Sequence, residues 1–212
     1  GFGGGKGAFA AMGETYGVHL PEEQAEKLKK KWRAINKPTV DWWYELERAA
    51  IAAVENPGRT FRAGMIPWKM RGSFLFCRLP SGRLLSYPYP EIHMDPTFGK
   101  PCLTYKTVPS PMMKLWPDKS NSGRWARVPT FGGKLAENVT QALCRDVLVE
   151  KMLRLEEEGF PVVLHVHDEV VTEGCFSEPE RVRFQTIMEE PVSWAPDMPI
   201  QAEAWLAKRY IK

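Results

Sequence analysis

Apolar residues recur at helical spacing in two long segments of this 212-residue chain, and a third segment has the order of charges that a helix favours. After Pro21, acidic residues come early and basic residues late, which is the order that a helix dipole favours. A second helix is predicted from Thr39 to Glu55, where a Pro-Gly pair follows. A third is predicted from Lys134 to Glu158, because leucines and valines recur at three- to five-residue steps before Gly159.

Residues 59–125 have a different character from the helical segments. The stretch "SFLFCRLPSGRLLSYP" predicts two short strands joined at Pro80-Ser81-Gly82, a sequence typical of a hairpin turn. Pro, Gly, Tyr and Trp then dominate as far as Trp125, and this composition predicts irregular structure.

The last third of the chain contains a second predicted hairpin. "PVVLHVHDEVVTE" at 161–173 consists of two apolar strands with His167 and Asp168 at their connection. "SEPE" at 177–180 has the pattern of a capping box and predicts a helix through Glu190. "MPIQAEAWLAKRYIK" predicts a final strand and a basic tail.

Composition narrows the class of protein only moderately. The chain is 43% hydrophobic and 26% charged, as in ordinary globular domains, and it contains no run of eighteen apolar residues. Its net charge of +3 is compatible with a polyanionic partner without identifying one. The four cysteines are scattered without a CxxC pair, which favours reduced thiols and a cytoplasmic location.

The adjacent acids Asp168 and Glu169 are the first candidate for chemistry. A carboxylate between apolar strands costs several kcal/mol of desolvation unless a cation or hydrogen bonds compensate it. Two such groups on a rigid hairpin offer hard oxygen ligands for Mg²⁺ or Mn²⁺. A solvated turn is the plain alternative, because Asp favours turns. Zinc is disfavoured, because "HVHDE" has no third histidine nearby.

A polar stripe on the third predicted helix is the second candidate. Its members are Lys134, Glu137 or Asn138, Gln141 and Arg145. A solvated helix face explains such a stripe, and so does contact with nucleic acid, since amides both donate and accept hydrogen bonds. The basic run at 27–33 carries the same two interpretations.

Four segments, taken in order, resemble the C-terminal half of bacteriophage-type family A DNA polymerases, the group related to bacterial DNA polymerase I. They are "GFGGGKGAFAAMGETYGV", "LPSGRLLSYPYP", "GGKLAENVTQALCRD" and "HVHDEVVTE". The resemblance implies an α+β fold with the N-terminal portion missing. Residues 1–125 would form the rest of the fingers, and residues 126–212 would form the palm with its antiparallel sheet and metal-binding hairpin.

The resemblance also implies roles for individual residues. Asp168 would bind the catalytic metals, two Mg²⁺ ions, and Glu169 would support it. His167 would lie beside the primer terminus, and Phe2 and Gly3 would contact the incoming nucleotide. The helix would follow the primer–template minor groove through Lys134, Asn138, Gln141 and Arg145.

The implied activity is the addition of dNTPs to a primer 3′ end, with primer–template DNA as partner and no membrane. The family's first palm motif, its fingers lysine and its thumb are not found in this sequence. We therefore expect a piece of a split or truncated polymerase, inactive without an N-terminal fragment that supplies a second carboxylate. A non-catalytic primer–template-binding module and an unrelated metal-dependent hydrolase are the alternatives.

Overall fold

The computed structural model describes residues 13, 16–19, 21–95, 99–110, 113, 115–117 and 125–210. Phe2 and Gly3 therefore lie outside the described residues. Within those ranges the chain forms four helices and three antiparallel sheets of four, three and two strands, an α+β arrangement as predicted. Two compact units, residues 1–139 and 140–212, divide the chain.

The first unit begins its described helices where the sequence predicts them. Helix α1 spans Glu22–Ile35 and helix α2 spans Lys37–Glu55. Between them the rings of Trp32 and Trp43 stack with centroids 5.7 Å apart. The buried side of α2, which includes Leu46 and Ala50, packs on the sheet that follows.

The four-stranded sheet is an antiparallel meander in chain order. Its strands are β1 (Thr60–Ala63), β2 (Ile66–Arg71), β3 (Phe74–Arg78) and β4 (Leu84–Pro88). Alternate side chains are buried on the face towards α2, namely Ala63, Ile66, Trp68, Leu75, Cys77 and Tyr87. The predicted β3–β4 hairpin is confirmed, whereas the sequence analysis did not identify β1 and β2.

The prediction of irregular structure after β4 is wrong for residues 91–94 and 101–107. Strands β5 (Glu91–Met94), β6 (Pro101–Thr107) and β7 (Ala126–Thr130) form the three-stranded sheet. Buried Arg127 binds the β5–β6 side of this sheet: it donates to the Tyr89 carbonyl at 2.9 Å and the Thr104 hydroxyl at 3.2 Å, and it pairs with Glu91. Strands that are distant in sequence pair here, and their pairing provides the hydrogen-bond partners that these backbone groups need. The local sequence does not reveal those partners.

Helix α3 spans Gly132–Glu157, close to the predicted range, and the boundary between the two units falls inside it. Gly159, with φ of +85°, follows its last turn as expected. At the other end, a Cβ on Gly132 would overlap the backbone carbonyl group of Trp43. Only a glycine permits this close approach of α3 to α2.

The second unit contains the hairpin predicted around Asp168. Strands β8 (Val162–Val166) and β9 (Glu169–Thr172) pair antiparallel, with a bulge between Val162 and Leu164. A buried cluster of Leu155, Phe160 and Ile187 lies against one face. Helix α4 (Glu178–Glu189) starts at a capping box between Ser177 and Glu180, as predicted.

The predicted final strand is not formed in the described part of the chain. The Ala202 amide donates to the Glu189 carboxylate at 3.1 Å, and the Ala204 carbonyl accepts from Arg181 at 3.0 Å. Side chains of α4, not a neighbouring strand, therefore hold this segment. Apolar content alone does not make a strand when no strand edge is paired with it.

No described helix is long and apolar enough to cross a membrane. All four cysteines are described and free, with Cys77 and Cys102 buried. Burial raises the pKa of the Cys77 thiol to about 12, so this thiol is inert at neutral pH.

The connection between β8 and β9 is a two-residue turn formed by His167 and Asp168. His167 has φ of +54°, and Asp168 is not in the left-handed region. Positive φ is uncommon for a residue other than glycine, and Asn, Asp and His are the residues that adopt it most often. A histidine there stores some backbone strain, of about 1 kcal/mol.

We expect Gly132→Ala to lower the free energy of unfolding by about 2 kcal/mol or more, because the added methyl group meets backbone that cannot rotate away. Urea unfolding followed by circular dichroism measures the change. Gly58→Ala is the matched control: Gly58 has φ of +85° but open space around it, so its cost is about 1 kcal/mol. Equal costs at the two positions would contradict the close approach.

We expect His167→Val to lower the free energy of unfolding by about 1 kcal/mol, because a β-branched residue tolerates positive φ poorly. His167→Asn should leave the free energy nearly unchanged, since asparagine, like histidine, is enriched at positive φ. Thermal and urea denaturation of the two variants provide the comparison. A valine variant as stable as the asparagine variant would argue against the positive φ.

Candidate functional site

The tip of the β8–β9 hairpin presents Asp168 to solvent. Asp168 and His167 are both exposed. Asp168 forms no hydrogen bond or ion pair with any residue that the structure describes. Its two oxygens therefore have no protein partner among those residues and are available to a ligand.

Glu169, the neighbouring acid, is held by the protein. Its Oε2 accepts a hydrogen bond of 2.6 Å from the Tyr210 hydroxyl. This hydrogen bond is the main cause that raises the pKa of Tyr210 above its usual value. Glu169 is half-buried, so the two adjacent carboxylates have different surroundings: one is oriented by a tyrosine and the other is open.

His165 of β8 contacts Arg145 of α3. Two guanidinium nitrogens of Arg145 each lie 3.4 Å from a ring nitrogen of His165. His165 pairs with Val170 across the hairpin, and paired residues share a face of the sheet. Arg145 and the apolar cluster therefore contact the same face of the hairpin.

Apolar packing beneath the strands stiffens this support. Val162 and Val170 pack on the buried cluster of Leu155, Phe160 and Ile187. The Phe160 ring meets the rings of Phe176 and Phe184 at centroid distances of 5.1 and 5.6 Å. A two-stranded hairpin is marginal by itself, so this layer is what holds the tip in one position.

The residues predicted for the polar stripe fall on α3 in two pairs. Lys134 and Asn138 lie four residues apart in the first unit, and Gln141 and Arg145 lie four residues apart in the second, so the members of each pair share a helix face. In the first unit, Lys134 pairs with Glu137 at 2.9 Å, and the Asn138 amide donates to the Tyr87 hydroxyl at 3.2 Å. In the second unit, Gln141 is exposed and has no described hydrogen-bond partner.

The donor set at the hairpin suits a hard cation better than zinc. Among the described residues no three His, Cys, Asp or Glu side chains gather into a group that could hold a metal ion. Zinc needs three or four protein ligands, whereas Mg²⁺ is commonly held by one or two carboxylates together with substrate phosphates. Asp168 and Glu169 can supply that smaller set.

Two contacts of this site were not found from the sequence. Tyr210 is 41 residues from Glu169, and no local spacing links them. The Arg145–His165 contact joins residues 20 apart on different elements. Arg145 was predicted as a residue that contacts DNA, and its neighbour His165 had no predicted role.

Comparison with known proteins gives a similarity over the whole chain. No protein-family model and no solved structure matches it. The chain is 38% identical over 212 residues, all of its length, to a protein named DNA polymerase from Bacillus phage SP02. It spans 31% of the length of that relative.

Proposed function

We propose that this chain is part of a DNA-directed DNA polymerase of the family A type. The observation that carries the proposal is the 38% identity with the DNA polymerase of Bacillus phage SP02 along the entire chain. In this proposal residues 1–125 belong to the fingers and residues 126–212 to the palm. Primer–template DNA and dNTPs are the substrates, and the location is the cytoplasm of the host cell.

Asp168 is the proposed metal ligand. Its carboxylate is exposed on a hairpin that packs on a buried cluster, and no described side chain occupies its oxygens. Two bound Mg²⁺ ions would lower the pKa of the primer 3′-hydroxyl and neutralise charge on the transferred phosphate. One aspartate does not complete a two-metal site, so we assign the second carboxylate to another part of the polymerase.

The other hairpin residues orient this carboxylate. The Tyr210 hydroxyl holds Glu169 at 2.6 Å, which fixes the first residue of β9 directly after Asp168. Arg145 contacts His165 and steadies β8 on the other side of the turn. His167, exposed at the turn, is the proposed neighbour of the primer terminus. Small displacements at such a site are costly, which is why rigid support matters.

The stripe on α3 is the proposed contact with the primer–template duplex. Gln141 is exposed without a described partner, and Lys134 retains a partly exposed ammonium group beside Glu137. Minor-groove acceptors are shared by all correct base pairs, so amide and cationic donors bind without sequence preference. Asn138 would have to exchange or share its hydrogen bond to Tyr87 to take part. Phe2 and Gly3 remain the predicted contacts to the incoming nucleotide.

A non-catalytic primer–template-binding module is the second candidate. The observation in its favour is the exposed amide of Gln141 on α3, which can donate to DNA and accept from it without a metal ion. Such a module would bind DNA with a steep dependence on salt and would not turn over.

The 212-residue chain alone should bind primed duplex but should not extend the primer, because one exposed aspartate cannot hold two metal ions. Extension of a labelled primer in the presence of Mg²⁺ and dNTPs tests this. The SP02 polymerase under the same conditions is the positive control. Robust extension by the isolated chain would show that it carries the complete site.

Catalysis can be tested in a chimera in which this chain replaces the matching 31% of the SP02 polymerase. We expect Asp168→Asn to lower primer extension by more than about 10³-fold, because it removes the carboxylate that stabilises charge through the metals. Glu173→Gln, an exposed acid just beyond β9, is the matched control and should keep its activity.

A second measurement removes the dependence on an active chimera. In the 212-residue chain, Mn²⁺ should broaden NMR signals of the hairpin tip, and Asp168→Asn should abolish the broadening while Glu173→Gln should not. Near-normal extension by the Asp168→Asn chimera, or unchanged broadening in the Asp168→Asn chain, would exclude Asp168 as a metal ligand.

A further inference from the structure

The solvent-facing side of the β1–β4 sheet carries a concentrated positive charge. Four cations alternate along its strands with the residues that face α2: Arg62 on β1, Lys69 and Arg71 on β2, and Arg78 on β3. All four are exposed, and none forms an ion pair with a residue in the described ranges. They line one open groove of about 840 Å³ in which no acidic residue takes part.

Aromatic rings lie among these cations. Phe74 and Phe76 of β3 stack with centroids 5.9 Å apart and an interplanar angle of 22°, and Phe74 is 37% exposed. Phe76 pairs with Lys69 across the strands, and Phe74 pairs with Arg71. The Tyr89 ring continues the row 6.3 Å from Phe74. We name Arg62, Lys69, Arg71, Phe74, Phe76 and Arg78 the basic–aromatic face.

The pleat of the sheet explains why this face is unusual. Successive side chains point to opposite faces, and the inner face of this sheet is filled by Trp68, Leu75, Cys77 and Tyr87. The core is therefore complete without Phe74 and Phe76. Their rings lie on the solvent-facing side, next to several positive charges. Exposed apolar rings among these cations add nothing to the core of the sheet, whereas they suit a ligand that is both anionic and aromatic.

We propose that the basic–aromatic face binds single-stranded DNA. Phosphates would pair with the four cations, and bases would stack on Phe74 and Phe76, the combination that single-strand-binding surfaces use. A duplex keeps its bases stacked on each other and offers only phosphates to such a face. The choice of DNA over other polynucleotides rests on the proposed function. The face lies wholly in the first unit and none of its residues belongs to the hairpin.

The proposal is tested by equilibrium binding in EDTA, without metal ions or dNTPs. Fluorescence anisotropy of a labelled oligo-dT of about 15 nucleotides is followed over a series of salt concentrations, with a duplex of equal length in parallel. Phe74→Leu/Phe76→Leu keeps apolar volume and removes the stacking surface. We expect it to weaken oligo-dT binding by at least about fivefold and duplex binding hardly at all.

Charge variants test the other half of the proposal. Lys69→Gln/Arg71→Gln should reduce the slope of log affinity against log salt by about 1.4, from two lost phosphate contacts on a single strand. Lys37→Gln/Lys100→Gln, which removes the same charge from exposed residues outside the face, should leave the slope unchanged. Tyr44→Leu on α2, where the ring is 45% exposed, is the control for loss of an aromatic.

Three outcomes would overturn the proposal: oligo-dT affinity unaffected by the phenylalanine variant, an equal loss in the Tyr44 variant, or an equal change of slope in the Lys37/Lys100 variant. Chemical-shift changes on adding oligo-dT to the unmodified chain give a check that needs no variant, and they should map to β1–β3. Because no nucleotide addition is measured, binding here and failure of primer extension are separate results.

Discussion

The packing of one face of the β1–β4 sheet on α2 is the constraint on which the first unit depends. Trp68 and Leu75 are fully buried on that face, and α2 supplies Leu46 and Ala50 against it. Since side chains alternate along each strand, filling this core assigns every second residue to the outside. The cations and phenylalanines of the basic–aromatic face are displayed together as a direct consequence.

The same alternation acts in the second unit with a different result. Val170 packs on the cluster around Phe160. The two-residue turn before β9 places His167 and Asp168 outside the paired strands. A loose loop would present a carboxylate in many positions, whereas this turn is braced by Arg145 through His165 and by Tyr210 through Glu169. The bracing is what makes Asp168 suitable for chemistry that tolerates little displacement.

The two surfaces serve opposite electrostatic needs of one proposed substrate. The negatively charged phosphates of a polynucleotide repel carboxylates. Asp168 would therefore contact a polynucleotide only through bound cations. The basic–aromatic face can bind the phosphates directly and without metal ions. In the proposed function, the hairpin would therefore take part in the reaction and the basic–aromatic face would retain the DNA.

Local sequence signals determined the parts of the fold that local physics controls. Helical periodicity and end signals located α1 to α4 within a few residues, and alternation with turn residues located the β3–β4 and β8–β9 hairpins, including Asp168 at its tip. In each case the hydrogen-bonded partners are close along the chain, so the local sequence is sufficient to predict the element.

Only the tertiary structure decided the rest. Strands β5 and β6 pair with each other, and β6 also pairs with β7. The apolar segment after Met198 has no such partner in the described chain and forms no strand. The hydrogen bond between Tyr210 and Glu169 joins residues 41 apart in the sequence. The basic–aromatic face combines residues of three strands, and the sequence of one strand does not predict which strands pair with it. Contacts between residues distant in sequence depend on the packed chain as a whole, because their free energy is gained only after the loops between them have closed.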